Sequence, residues 1–277
     1  MDSKTSWQLR DEHYHLKLPH DFEIAVSPER GGRVVDLSYQ GRNMLSGHDI
    51  DSINYGSTLW ISPQNLWRWP PPATLDREPY AVDLKGDTLQ LSSKVDPKFK
   101  VQFIKKFWAE TSDSSLVLDY TLINRADTAQ SLALWEVSRM LKNGRFVALM
   151  EEDSTLRSIK PMNWQLSEQL LSLEVPAEND TTNKLYVNGR GSLFYRLDSL
   201  YLFKSFLNLE TDEMPPTHQE VEFYIDDTAY VEVEQHSPYV RLSSDSAFSW
   251  RVYWYPRKFS DQVSEVELKT WLQRLSS

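Results

Sequence analysis

Apolar and polar residues alternate with a period of two through most of the chain. That spacing predicts half-buried β-strands, because successive side chains of a strand point to opposite faces. It marks Phe22–Val26, Arg33–Tyr39, Val101–Phe107, Leu116–Ile123, Leu132–Arg139, Leu193–Leu197, Tyr201–Phe206, Glu220–Ile225, Tyr230–Glu234 and Phe248–Tyr255. Turn chemistry separates them, at Arg30-Gly31-Gly32, Tyr39-Gln40-Gly41, Lys85-Gly86-Asp87, Asn124-Arg125-Ala126-Asp127 and Asn188-Gly189-Arg190-Gly191. There is no βαβ rhythm, no repeat of fixed period and no low-complexity linker. The expectation is a mostly antiparallel all-β sandwich, one domain over residues 1–277 with its core at about 22–256. Pro176 to Lys184 reads as the most loop-like stretch, an exposed excursion.

Two segments break the alternation. From Ser260, Val263, Val266, Trp271, Leu272 and Leu275 fall on one helical stripe, with acidic residues early and Lys269 and Arg274 late. This predicts a short C-terminal helix over about 261–275, capped by Ser260 and packed on the outside of the sheets. The other is "WISPQNLWRWPPP", Trp60 to Pro72, with three tryptophans, a Gln-Asn pair and four prolines. Proline lacks the donor that helices and central strands need, so an irregular loop is expected. Its rings either plug a core or wall a binding site.

Composition narrows the choice. The formal charge of −10 argues against a nucleic-acid partner, whose phosphates most of the surface would repel. The longest acidic run is Glu151-Glu152-Asp153. No stretch of about 18 apolar residues is present, so no membrane span is expected. Met1 to Trp7 has no apolar h-region, so no signal peptide is expected there. Cysteine is absent, which excludes disulfides, thiolate metal sites and cysteine nucleophiles. That absence fits a cytoplasmic or a periplasmic location equally. Ten Trp, 13 Tyr and 11 Phe make aromatic rings the outlier, and rings serve both as core fillers and as platforms for the apolar faces of a sugar.

"YVEVEQHSPY", Tyr230 to Tyr239, is the strongest chemical candidate. A strand there points Tyr230, Glu232 and Glu234 to one face, with Val231 and Val233 to the other and the carboxylates about 6.6 Å apart. Neighbouring carboxylates raise one another's pKa, which suits a general base or acid near neutrality, although a merely solvated face reads the same way. The separation also overlaps the roughly 6.5–9.5 Å of inverting glycosidases, whose carboxylates come from different elements. His236 follows directly and reaches the same face, or else is a surface turn histidine. In "LWEVSRM", Leu134 to Met140, Glu136 and Arg139 lie on opposite faces. One of them must find a pair or a ligand, since an unpaired buried charge is prohibitive. His13 and His15 alternate as metal ligands can, but lack a third partner, and no metal or cofactor is expected. Nucleotide-binding and hydrolase motifs are absent.

Several segments together carry a family resemblance. "SPERGGRVVDLSYQGRNML", Ser27–Leu45, resembles the opening of galactose-mutarotase-like (aldose 1-epimerase-like) proteins. "LVLDYTLINRADTAQSLALWEVSRM", Leu116–Met140, is similar to their strand–Asn-turn–strand that carries a catalytic histidine. "YVEVEQHSPY" looks like the late strand that supplies their catalytic glutamate. "YGSTLWISPQNLWRWPPP" is similar to a segment of bacterial members with a Trp-Pro-Gln…Trp-Pro-Pro loop. The resemblance spans about Phe22 to Pro256 and rests on the order of these segments. It implies a β-supersandwich with a concave sheet that binds a carbohydrate. It also implies a glutamate that takes the anomeric hydroxyl proton and a histidine that protonates the ring oxygen.

Carried onto this chain, the glutamate is Glu234 or Glu232. The histidine does not carry over: the matching strand reads Trp135-Glu136-Val137-Ser138, and no histidine lies between His48 and His218. A replacement acid would come from Glu136, His236, His218 or His48. Two functions remain open. One is an epimerase-type isomerase with Trp60, Gln64, Trp67, Trp69, Glu136, Arg139 and His236 around the sugar. The other is a non-catalytic glycan-binding or sugar-sensing module. A docking domain for protein partners is a third reading. Oligomeric state is not legible.

Overall fold

The computed structural model describes residues 6–151, 156–259 and 263–276. The segment Met1 to Thr5, most of the acidic run at Glu151, and the expected cap Ser260 lie outside or at the edge of these. Two large sheets face one another, and every described strand pairing is antiparallel. The first has 12 strands. Its central strands are Ser57–Ser62, Gln130–Leu141, Tyr230–His236, Val221–Ile225 and Asn183–Val187, side by side in that order. The second has 10 strands, with Leu200–Ser205, Ala247–Lys258, Ser115–Asn124 and Val101–Glu110 at its middle. This is the all-β sandwich that the alternation predicts.

Alternation decides which face each residue takes. Val101, Phe103 and Phe107 of Val101–Glu110 are buried between the sheets, while Gln102, Ile104 and Lys106 are half-exposed on the far side. Leu116, Leu118, Tyr120 and Leu122 do the same one strand over. They meet Leu59, Leu134, Val231, Val233 and Phe223 of the first sheet in one continuous apolar cluster. Strands Gln130–Leu141 and Tyr230–His236 differ, because both of their faces are buried. Something covers the outer face of the first sheet there.

Part of the cover is the tryptophan segment, which is less irregular than its prolines suggest. Trp60, Ile61 and Ser62 belong to strand Ser57–Ser62, and a single 3₁₀ turn, Gln64–Leu66, follows Pro63. The chain then turns into the short helix Ala73–Asp76. Gly31 lets this helix dock: its φ is +68°, and a Cβ there would meet the Asp76 carbonyl at 2.1 Å, so only glycine fits.

The C-terminal helix is present and ends where expected, but it begins later. It spans Glu265–Leu275 and is capped by Ser264, whose side chain accepts from Glu267 N while Glu267 reaches back to Ser264. Val266, expected on the buried stripe, is 75% exposed. Leu268 and Leu272 set the buried phase, against Val147, Phe194 and Phe203 on the outer face of the second sheet. The stretch expected as an exposed loop is one through Thr182; its last two residues, Asn183 and Lys184, instead enter strand Asn183–Val187, in the interior of the first sheet.

Candidate functional site

Strand register builds the site. Across the outer face of the first sheet, Trp60 lies opposite Trp135, and Trp135 opposite His236. The next row is Thr58, Val137, Glu234, Glu222 and Tyr186. The third is Arg139, Glu232, Tyr224 and Lys184. These side chains share a face because cross-strand partners always do. Of these rows, Trp135, Glu232, Tyr224, Tyr186 and Lys184 floor a cavity of about 850 Å³ walled by the tryptophan segment, which contributes Trp60, Gln64, Asn65, Arg68 and Trp69. Glu232 and the tryptophan segment therefore share one pocket.

Trp60 is held from below. Its Nε1 donates to Asp76 Oδ1 at 2.8 Å, which Arg33 and Thr58 also contact. Burial would raise the Asp76 pKa, but Arg33 and the Trp60 indole hold it below the usual carboxylate range. Trp69 is 55% exposed on the pocket wall. Gln64 ties the wall to the floor, its backbone N–H donating to His218 Nε2 at 3.2 Å.

Five of the expected site residues, Glu234 among them, do not line the cavity. Trp67 is buried behind Trp60 and Trp135, donates to Ile61 O, and does not line the cavity. Arg139 is fully buried beneath the pocket, with Nε 2.9 Å from Glu232 Oε1 and its guanidinium over the Trp60 and Tyr230 rings. His236 is sealed under Trp135, stacked at 5.0 Å, and burial lowers its pKa to about 4, so it is neutral. Glu136 is on the other face altogether. It is buried between the sheets, accepting from Tyr120, Gln235, Trp254 Nε1 and Lys204 Nζ. The strand alternation separated Glu136 from Arg139 correctly; what it lacked was which face lay toward the second sheet.

The two glutamates of Tyr230–His236 point outward together, and they are not equivalent. Glu232 lines the pocket and is paired to Arg139. Glu234 is fully buried, and its Oε2 accepts from Trp135 Nε1 at 2.8 Å and from Lys184 Nζ at 2.9 Å, while Oε1 has no partner. Lys184 also stands 2.6 Å from Glu222 Oε2. Two carboxylates thus share one ammonium. The electrostatics split them: Lys184 and two histidines overcome burial and hold Glu222 well below its usual range. Burial, with Glu232 and Glu222 nearby, pushes Glu234 up to about 8 against the pull of Lys184. The lysine itself is raised, since those carboxylates outweigh its desolvation.

His218, Glu222 and His236 each bring a ligating atom within 4.8 Å of the others, so a metal ion has to be considered. The hydrogen bonds do not fit one. Gln64 N–H donates to His218 Nε2, so His218 Nδ1 must carry the proton it gives to Glu222 Oε1 at 2.9 Å. That nitrogen has no lone pair to offer. His236 Nδ1 has no acceptor to orient a metal-bound ring, and Lys184 occupies the other oxygen of Glu222.

The residues that sequence reasoning missed are Lys184, Tyr186, Tyr224, Asp226 and Arg157, all on the cavity wall. Lys184 and Tyr186 alternate with buried Leu185 and Val187, a period-two signal inside a stretch dominated by turn-formers.

Compared with protein-family models and with curated proteins, the chain finds no match. Solved structures do match. A presumed aldose 1-epimerase of Klebsiella pneumoniae subsp. pneumoniae aligns over 98% of this chain and 86% of its own, with TM-score 0.63 and 10% identity. A galactose mutarotase-like protein of Lactobacillus casei aligns over 86% and 98%, with TM-score 0.60 and 11% identity. A TPR-domain-containing protein of Parabacteroides distasonis aligns over 91% of this chain and 49% of its own, with TM-score 0.62 and 11% identity, so this chain spans about half that protein's length. At such identities the likeness speaks for architecture alone, and the chain has the galactose-mutarotase-like fold.

Proposed function

We propose that the protein binds a carbohydrate in this pocket and interconverts its anomers, with Glu232 as the base. One observation carries the reading: Glu232 and the tryptophan segment, about 160–170 residues apart in the chain, wall the same cavity. Trp69 offers an exposed ring to a sugar face, and Gln64 and Asn65 offer paired donors and acceptors to hydroxyls. Of the two candidate bases, Glu232 reaches the cavity, whereas Glu234 is closed off beneath Trp135 and Lys184. Glu234 then acts as a positioning residue for both.

The experiment is anomer exchange of common aldoses followed by NMR or polarimetry. The parent is expected to accelerate it, and Glu232→Gln to lose about 10²–10⁴-fold. An unchanged rate in Glu232→Gln removes Glu232 from the chemistry.

A non-catalytic sugar-binding module is the second reading. It is favoured by Arg139, which spends one Glu232 oxygen on an ion pair, and by the lack of any histidine on strand Gln130–Leu141. It predicts sugar-dependent quenching of tryptophan fluorescence with no acceleration of anomer exchange.

A further inference from the structure

The epimerase reading leaves an acid to be found, and the histidines do not supply it. His236 is sealed, and both ring nitrogens of His218 are committed to Gln64 and Glu222. Lys184 is different. Its ammonium is buried almost entirely, stands over the Trp135 ring at 4.9 Å, and still borders the cavity. Two carboxylates, Glu222 and Glu234, take two of its three hydrogens, so one remains that neither carboxylate holds. An ammonium locked this way needs no reorganisation when negative charge develops beside it.

We infer that Lys184 is the acid of this site: it hydrogen-bonds the ring oxygen of the bound sugar and protonates it as the ring opens. The inference rests on the epimerase reading above. Glu232 takes the O1 proton, the C1–O5 bond breaks as C1=O1 forms, and Lys184 gives a proton to O5. Lys184 recovers a proton from Glu234, whose carboxyl holds one at neutrality because burial pushes it up to about 8. Rotation about C1–C2 and the reverse sequence close the other anomer, so each proton returns to its source. Around Glu234 the charged groups are Lys184, Glu222 and Glu232, with the two histidines behind Glu222. One ammonium between two carboxylates is what allows that stored proton.

The test compares the parent with Lys184→Met and Lys184→Arg, reading anomer exchange by NMR and sugar affinity by fluorescence quenching. Both variants are expected to lose about 10²–10⁴-fold in turnover, and Lys184→Arg to bind sugar within about threefold of the parent, since arginine keeps the charge but does not release a proton. Far-UV circular dichroism of Lys184→Arg shows whether the fold is intact. In the parent, turnover is expected to fall as pH rises through about 8, where Glu234 ionises, and Glu234→Gln to lack that limb. Parental turnover in both lysine variants overturns the role of Lys184 and leaves Glu232 standing. A parent that quenches with sugar yet accelerates no anomer exchange overturns the epimerase reading, and Lys184 with it.

Discussion

Two buried lysine–glutamate clusters sit on opposite faces of the same sheet, and they are built to different rules. Between the sheets, Lys204 meets Glu136 one to one at 2.8 Å, and Tyr120, Trp254, Gln235 and Ser138 complete their hydrogen bonds. On the outer face, Lys184 is shared by Glu222 and Glu234, Glu234 Oε1 has no partner, and the lysine borders a cavity. The first cluster is closed in charge and in hydrogen bonds; a buried network of that kind fixes how two sheets sit together. The second has one carboxylate too many, so it must hold a proton or meet a ligand. Imbalance beside a cavity is the mark of the functional one.

The sharpest way to break the comparison is to delete one charge from each cluster. Lys204→Met is expected to destabilise by about 3–5 kcal/mol in urea unfolding, because it breaks a buried ion pair by removing the cation opposite Glu136. Glu234→Gln is expected to do the opposite. Its folded pKa of about 8 lies above the ordinary carboxyl value of 4.5, so the parent loses stability as pH rises from about 4.5 to about 8. Gln mimics the protonated carboxyl and removes that loss, so the variant gains roughly 4 kcal/mol on the parent at pH 9 relative to pH 5. A pH-independent difference would mean that Glu234 holds no extra proton.

His236 gives a smaller effect of the other sign. Its folded pKa of about 4 lies below 6.5, so its contribution is intact above about 6.5 and is lost as pH falls to about 4. His236→Phe should reduce the acid sensitivity by about 1–2 kcal/mol in thermal or urea melts between those limits. The smallest effect on stability belongs to Trp69→Ala, expected within about 0.5 kcal/mol because the ring is largely exposed. Sugar affinity should nevertheless fall by roughly tenfold as one stacking face is lost. Unaltered affinity for every sugar the parent binds would take Trp69 out of the site.

The strands were legible wherever one face met water. Val101–Glu110 alternates cleanly and was read within three residues of its observed end. Legibility failed where both faces are buried or where turn-formers abut a strand. The sequence pattern puts Trp60 in a loop because Pro63 follows so soon, yet Ser57–Ser62 ends just before that proline and lies centrally in the sheet. Lys184 was read as loop because Asn179, Asp180 and Asn183 precede it, although Asn183 itself starts the strand. The helical stripe holds for Val263, Trp271, Leu272 and Leu275, which pack on the second sheet; Val266 alone of it faces water, and Leu268 joins the buried phase.

By itself, then, the order of residues determined that this chain forms antiparallel strands and that Glu232 shares a strand face with Glu234. Side-chain direction along a strand is a local property with a period of two. Strand pairing is not local. Only the tertiary structure put Asn183–Val187 two strands from Tyr230–His236 and so brought Lys184 to Glu234. It alone turned Glu136 toward the second sheet and Glu232 toward the pocket, because which face of a strand becomes core depends on what packs against it.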